Sequence, residues 1–77
     1  MKSEEGNMAP KLLDTVALLA GIPKESLVRG QVGTIVEKLS TDVFEVEFSD
    51  DNGRTYATLA IPGSQLLVLH HGVVAAA

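Results

Sequence analysis

Between residues 43 and 49 the chain reads VFEVEFS, with Phe44, Val46 and Phe48 alternating with Glu45 and Glu47. A strict period of two sends successive side chains to opposite faces of a strand. One face is therefore expected to be apolar and buried, the other to hold carboxylates in water. Residues 33–39, rich in β-branched side chains, predict the strand before it, and Ser40, Thr41 and Asp42 supply the turn chemistry between the two. After it comes Asp50-Asp51-Asn52-Gly53, where Asn-Gly predicts a type I′ hairpin with positive φ at both central residues. Residues 54–60 then return antiparallel. Pro62-Gly63-Ser64-Gln65 predicts a single 3₁₀ turn and residues 66–69 a short last strand.

The first apolar segment, LLDTVALLAGIP, fits two templates. Leu12, Leu13, Val16, Leu19 and Ala20 would form a helical stripe, whereas DTVALL fits a half-buried strand. A strand is expected, because the rest of the chain reads as β and a barrel needs this strand to close. Gly21 and Pro23 end the segment in either case. The following loop, AGIPKESLVRG, has room for one helical turn, with Ile22, Leu27 and Val28 as the residues expected to pin it to the core. Residues 1–10 are polar and read as a flexible tail, residues 11–71 as the folded unit, and residues 72–77 as a loose tail.

Five short strands, a long early loop, two hairpins and a single helical turn before the last strand predict an all-β fold, a small five-stranded SH3-like barrel. A plain meander sheet has the same elements, but a barrel hides the edges that so small a sheet leaves open.

At 77 residues the chain allows one domain. It has no cysteine, which removes disulfides and thiolate metal sites. Its net charge of −4 argues against a surface for nucleic acid, which requires a basic face. No apolar run approaches the roughly 20 residues that cross a bilayer, so no membrane is expected as a partner. The opening residues, MKSEEGNMAP, do not read as a secretory signal, and a cytoplasmic location is expected.

Four pieces of the chain carry a family resemblance: Asp14-Thr15-Val16-Ala17-Leu18-Leu19, Arg29-Gly30-Gln31-Val32-Gly33-Thr34, Glu45-Val46-Glu47-Phe48 and Gly53-Arg54-Thr55-Tyr56-Ala57. Over residues 12–69 the sequence resembles a family of small bacterial proteins, frequent in cyanobacteria, catalogued as a domain of unknown function. The resemblance implies an SH3-like barrel and implies no chemistry. Gly30, Gly33 and Ile35 also resemble the KOW signature of ribosomal and transcription-elongation proteins, without its usual basic surroundings.

The candidate chemistry is sparse. Asp42, Glu45, Glu47, Asp50 and Asp51 form a run with no basic residue among them, which reads either as a solvated strand and turn or as an acidic face for protein docking. The SDDNGRTY segment lacks the ligand spacing of a calcium loop. His70 and His71 are adjacent, so on a strand they would point apart rather than share a metal. Arg29 and Arg54 are candidate anion contacts or partners for the acidic run, and the glycines between Arg29 and Gly33 read as turn and bulge residues. One tyrosine and no tryptophan leave little of the aromatic groove with which SH3 domains grip polyproline.

No serine or threonine sits in a motif coupling it to a histidine and an acid. Catalytic, cofactor and metal residues are all expected to be none. The reading that follows is a non-enzymatic protein-interaction module, either an accessory subunit or a neutralising partner of another protein. The alternative is a KOW-like nucleic-acid-binding domain, which would gather Lys11, Lys24, Arg29, Lys38 and Arg54 on one face. Finally, Leu66 and Val68 cannot share a core with Leu67 and Leu69, so one pair must look outward or into another chain. A homodimer or hetero-complex through the first or last strand is expected on that ground.

Overall fold

The structure is a computed structural model that describes residues 9–70. Five strands are present: β1 (Thr15–Leu18), β2 (Val32–Lys38), β3 (Val43–Ser49), β4 (Thr55–Pro62) and β5 (Leu66–Leu69). Two 3₁₀ turns accompany them, at Pro23–Glu25 and at Gly63–Gln65, the second directly before β5. All neighbours are antiparallel and the strand order is β4-β3-β2-β1-β5. This is an all-β, SH3-like arrangement, with the long loop between the first two strands and the 3₁₀ turn before the last.

The period of two decides what is buried. Val16 and Leu18 of β1, Ile35 of β2, Phe44, Val46 and Phe48 of β3, Ile61 of β4, and Leu66 and Val68 of β5 form one core. The ambiguous first segment is a strand, because pairing on both sides, with β2 and with β5, satisfies its backbone while Val16 and Leu18 enter that core. Leu27 closes the core from the long loop. It is held there by paired backbone bonds with Ile22, Ile22 N–H to Leu27 C=O at 2.8 Å and the reverse at 3.2 Å. Val28 does not help to pin the loop: it is 63% exposed, since the residue after Leu27 must point away from the face that Leu27 enters.

The β3–β4 hairpin forms where expected but with different geometry. Only Gly53 takes positive φ, at 83°, and Asn52 does not, so the turn is not type I′. Instead Gly53 N–H bonds to Asp50 C=O at 2.9 Å, and Asp50 N–H bonds to Arg54 C=O at 2.9 Å. That is the three-residue loop in which a tight turn is followed by one left-handed glycine. The Asp50 carboxylate selects it. Its Oδ1 accepts from Asn52 N–H at 2.9 Å and from Arg54 N–H at 3.0 Å, the local bonding that favours Asp at the start of a turn.

Gly33 lies in β2, as the strand over residues 33–39 requires, but it is neither a turn nor a bulge glycine: a Cβ there would meet Val46 Cγ1 at 2.8 Å and Phe48 Cδ1 at 2.9 Å. Gly30, with φ of 87°, is the turn glycine of the pair. The bulges lie elsewhere, at Val36 between the register pairs of Ile35 and Glu37, and at Tyr56 between those of Ala57 and Thr55. Bulges strengthen local twist and bend the strands that carry them, which lets a single sheet wrap its core. Edges remain, however. Among the described residues no ladder joins β4 to β5, so these two strands are the edges of the sheet.

Candidate docking surface

The outer face of β3 carries Glu45 and Glu47, as its alternation requires, though both are half-buried rather than fully exposed. Strand neighbours on each side account for this. Glu45 lies between Glu37 of β2 and Ala60 of β4, and Glu47 lies between Thr34 and Thr58. Glu47 is also held by a hydrogen bond, with Thr55 Oγ1 donating to its Oε2 at 2.6 Å.

Glu37 was not among the candidates, and the bulge at Val36 is the reason it belongs there. Continued without interruption from the Ile35–Val46 pair, the β2–β3 register would set Val36 against Glu45 and turn Glu37 to the core side beside Phe44. With one extra residue in β2, Glu37 pairs with Glu45 instead, and Lys38 takes the position opposite Phe44. Three carboxylates thus share one patch on two adjacent strands. Directly opposed side chains place their Cβ atoms about 5 Å apart, and like charges so placed are destabilising. A bulge leaves little sequence signal, which explains why Glu37 escaped notice.

The remaining acidic candidates do not join this patch. Asp42 precedes β3 and Asp50 and Asp51 follow it, so seven strand residues, roughly 20 Å, separate the two ends. Asp50 is occupied by its turn and by an ion pair to Arg54 Nε at 4.0 Å. Asp42 lines an open cleft of about 390 Å³ with Pro10, Lys38, Phe44, Pro62 and Ser64. Its backbone carbonyl also accepts from Gly63 N–H at 2.6 Å, which ties the β2–β3 turn to the second 3₁₀ turn.

The cations are dispersed in the same way. Lys11 pairs with Asp14 at 3.3 Å and Arg54 with Asp50, while Arg29 makes no ion pair among the described residues. Lys38 ends β2, whereas Arg29 precedes its start, so these two lie at opposite ends of a seven-residue strand. His70 follows β5 and is exposed, and His71 lies outside the described residues. Among the described residues no three of His, Cys, Asp and Glu are grouped as metal ligands would be. Among the described residues no helix is long and apolar enough to cross a membrane.

A second feature of the outer face lies away from the carboxylates. Ala17 of β1 is flanked by Val32 of β2 and Leu67 of β5. Val32 and Leu67 are 49% and 46% exposed, and between them they cover Ala17 down to 9%. The Leu66–Leu69 strand is thus divided as its alternation demands, with Leu66 and Val68 inside, Leu67 outside and Leu69 half-buried.

No match was found among curated proteins or among solved structures. One family model does match, across residues 12–68, which takes in all five strands to within a residue of the end of β5. Its coverage of most of the chain leaves no doubt of membership: the protein belongs to the family described as a domain of unknown function (DUF4926).

Proposed function

We propose that this protein is a non-enzymatic interaction module, an accessory subunit or neutralising partner of another cytoplasmic protein, and that its partner docks on the outer face of β2 and β3. The observation that carries the reading is the Glu37–Glu45 pairing with Glu47 on the same face. A like-charge pair across two strands works against the fold, so a surface that keeps it is best accounted for by a partner that supplies the compensating cations. Such a partner presents lysines or arginines. The acidic face would draw it in electrostatically and raise the association rate.

The test is co-purification of the partner from the native host, followed by affinity measurements on the isolated pair. Replacing Glu37, Glu45 and Glu47 together by glutamine keeps the side-chain shape and the acceptor for Thr55. The triple variant is expected to bind at least about tenfold more weakly and to lose most of the salt dependence of association. Unchanged affinity in the triple variant would refute the docking face.

A further inference from the structure

We propose that β5 is the dimerisation edge of this protein: two copies pair their β5 strands antiparallel about a two-fold axis, joining two five-stranded sheets into one. The inference uses the strand edge and not the acidic face, so the two readings stand or fall separately.

Three observations carry it. The first is the direction of the backbone. Leu19 N–H bonds to Gln65 C=O, so Gln65, and by alternation Leu67 and Leu69, address β1. Val68 and His70 therefore turn their N–H and C=O groups, and Leu66 its C=O, to the open side of the sheet, where no ladder among the described residues joins β5 to a further strand, while the Leu66 N–H is taken by Gly63 C=O. A two-fold axis through Val68 brings Val68 opposite its own copy and Leu66 opposite His70 of the second copy. The N–H and C=O of Val68, the N–H of His70 and the C=O of Leu66 then find partners in one register.

The second is the absence of protection on this edge. Natural edges are blunted by charges, prolines or bulges. Edge strand β4 has two of these devices, the bulge at Tyr56 and Pro62 at its end. β5 reads Leu-Leu-Val-Leu and has none. In the pairing described, Leu67 of each copy faces Leu69 of the other on the outer face. The apolar Val32–Ala17–Leu67 row then runs on across the axis into its symmetry mate.

The third is where the charge lies. Residues 55–77 contain no Asp, Glu, Lys or Arg. Glu37 of β2 sits two strands from β5 and the carboxylates of β3 three, so in the pair the two acidic faces come no nearer than about 24 Å along the sheet. That is well beyond a screening length of about 8 Å, and two chains of charge −4 can meet here without repulsion.

Sedimentation of the full chain at micromolar to millimolar concentration, with residue-resolved amide exchange, tests this. The expected species at high concentration has twice the chain's 8.1 kDa mass. The amides of Val68 and His70 should exchange about tenfold or more slowly there than on dilution, while Leu67 and Leu69 stay protected throughout. Leu67→Lys should give a folded monomer. His70→Pro, which removes one outward N–H without touching the β1 ladder, should weaken the dimer. A monomer at every concentration overturns the proposal, as does a dimer in which Val68 exchanges freely. Protection of Val68 that is independent of concentration would mean that the chain's own termini cover the edge, and overturns it equally.

Discussion

The ring of Phe48 lies against the bare backbone of Gly33: a Cβ at that glycine would come to 2.9 Å from Phe48 Cδ1 and 2.9 Å from Glu47 C=O. β2 and β3 thus approach closely where the largest fully buried side chain needs room. Gly33→Ala is expected to destabilise the protein by about 1–3 kcal/mol, the usual range for overpacking, although alanine has the better intrinsic stability elsewhere. A urea unfolding curve measures it. A shift of less than about 0.5 kcal/mol would show that Phe48 can move aside.

The two faces of β3 should respond very differently to truncation. Phe44 is 3% exposed, and Phe44→Ala is expected to cost about 3–5 kcal/mol, a large share of the stability of so small a domain. Glu45→Ala removes a side chain opposed to Glu37 and should change stability by no more than about 0.5 kcal/mol. Equal losses in thermal or urea unfolding would place the strand one residue out of register.

Charge reversal separates docking from folding. Glu45→Lys converts the repulsive pair with Glu37 into an attractive one, and should stabilise the fold by about 0.2–1 kcal/mol at low salt. The gain should fade as salt is added. The same change should abolish binding of a basic partner. A variant that is less stable at low salt than at high salt would contradict the pairing.

At the β3–β4 hairpin, Asp50→Ala removes the acceptor of the Asn52 and Arg54 N–H groups. A loss of about 1–2 kcal/mol is expected from two local hydrogen bonds. Gly53→Ala should cost about 1–2 kcal/mol for a different reason, its φ of 83°, since open space surrounds the position. Asn52→Ala should be nearly silent, because Asn52 keeps negative φ. A larger loss at Asn52 than at Gly53 in unfolding experiments would restore the type I′ assignment.

Alternation placed β3, and the turn residues after it placed β4, the 3₁₀ turn and β5. Alternation also required half of the Leu66–Leu69 strand to face outward, while only the structure shows that Leu66 and Val68 are the inward half. The reason is local: a period of two assigns each side chain to a face whatever the strand pairs with. The same logic placed Glu45 and Glu47 on the outer side. It could not place Glu37, because an extra residue in β2 shifts its register only when β2 is laid against β3. Nor could it show that Gly33 makes room for Phe48, a contact between residues fifteen positions apart. The grouping of Asp42 with Asp50 and Asp51 failed for the converse reason, since neighbours in sequence are driven to opposite ends by an extended strand. Whether β5 would be an edge was likewise a tertiary matter. Its four apolar residues are fixed in the chain, but only the order β4-β3-β2-β1-β5 leaves β5 with one neighbour and turns the backbone of Val68 toward open space.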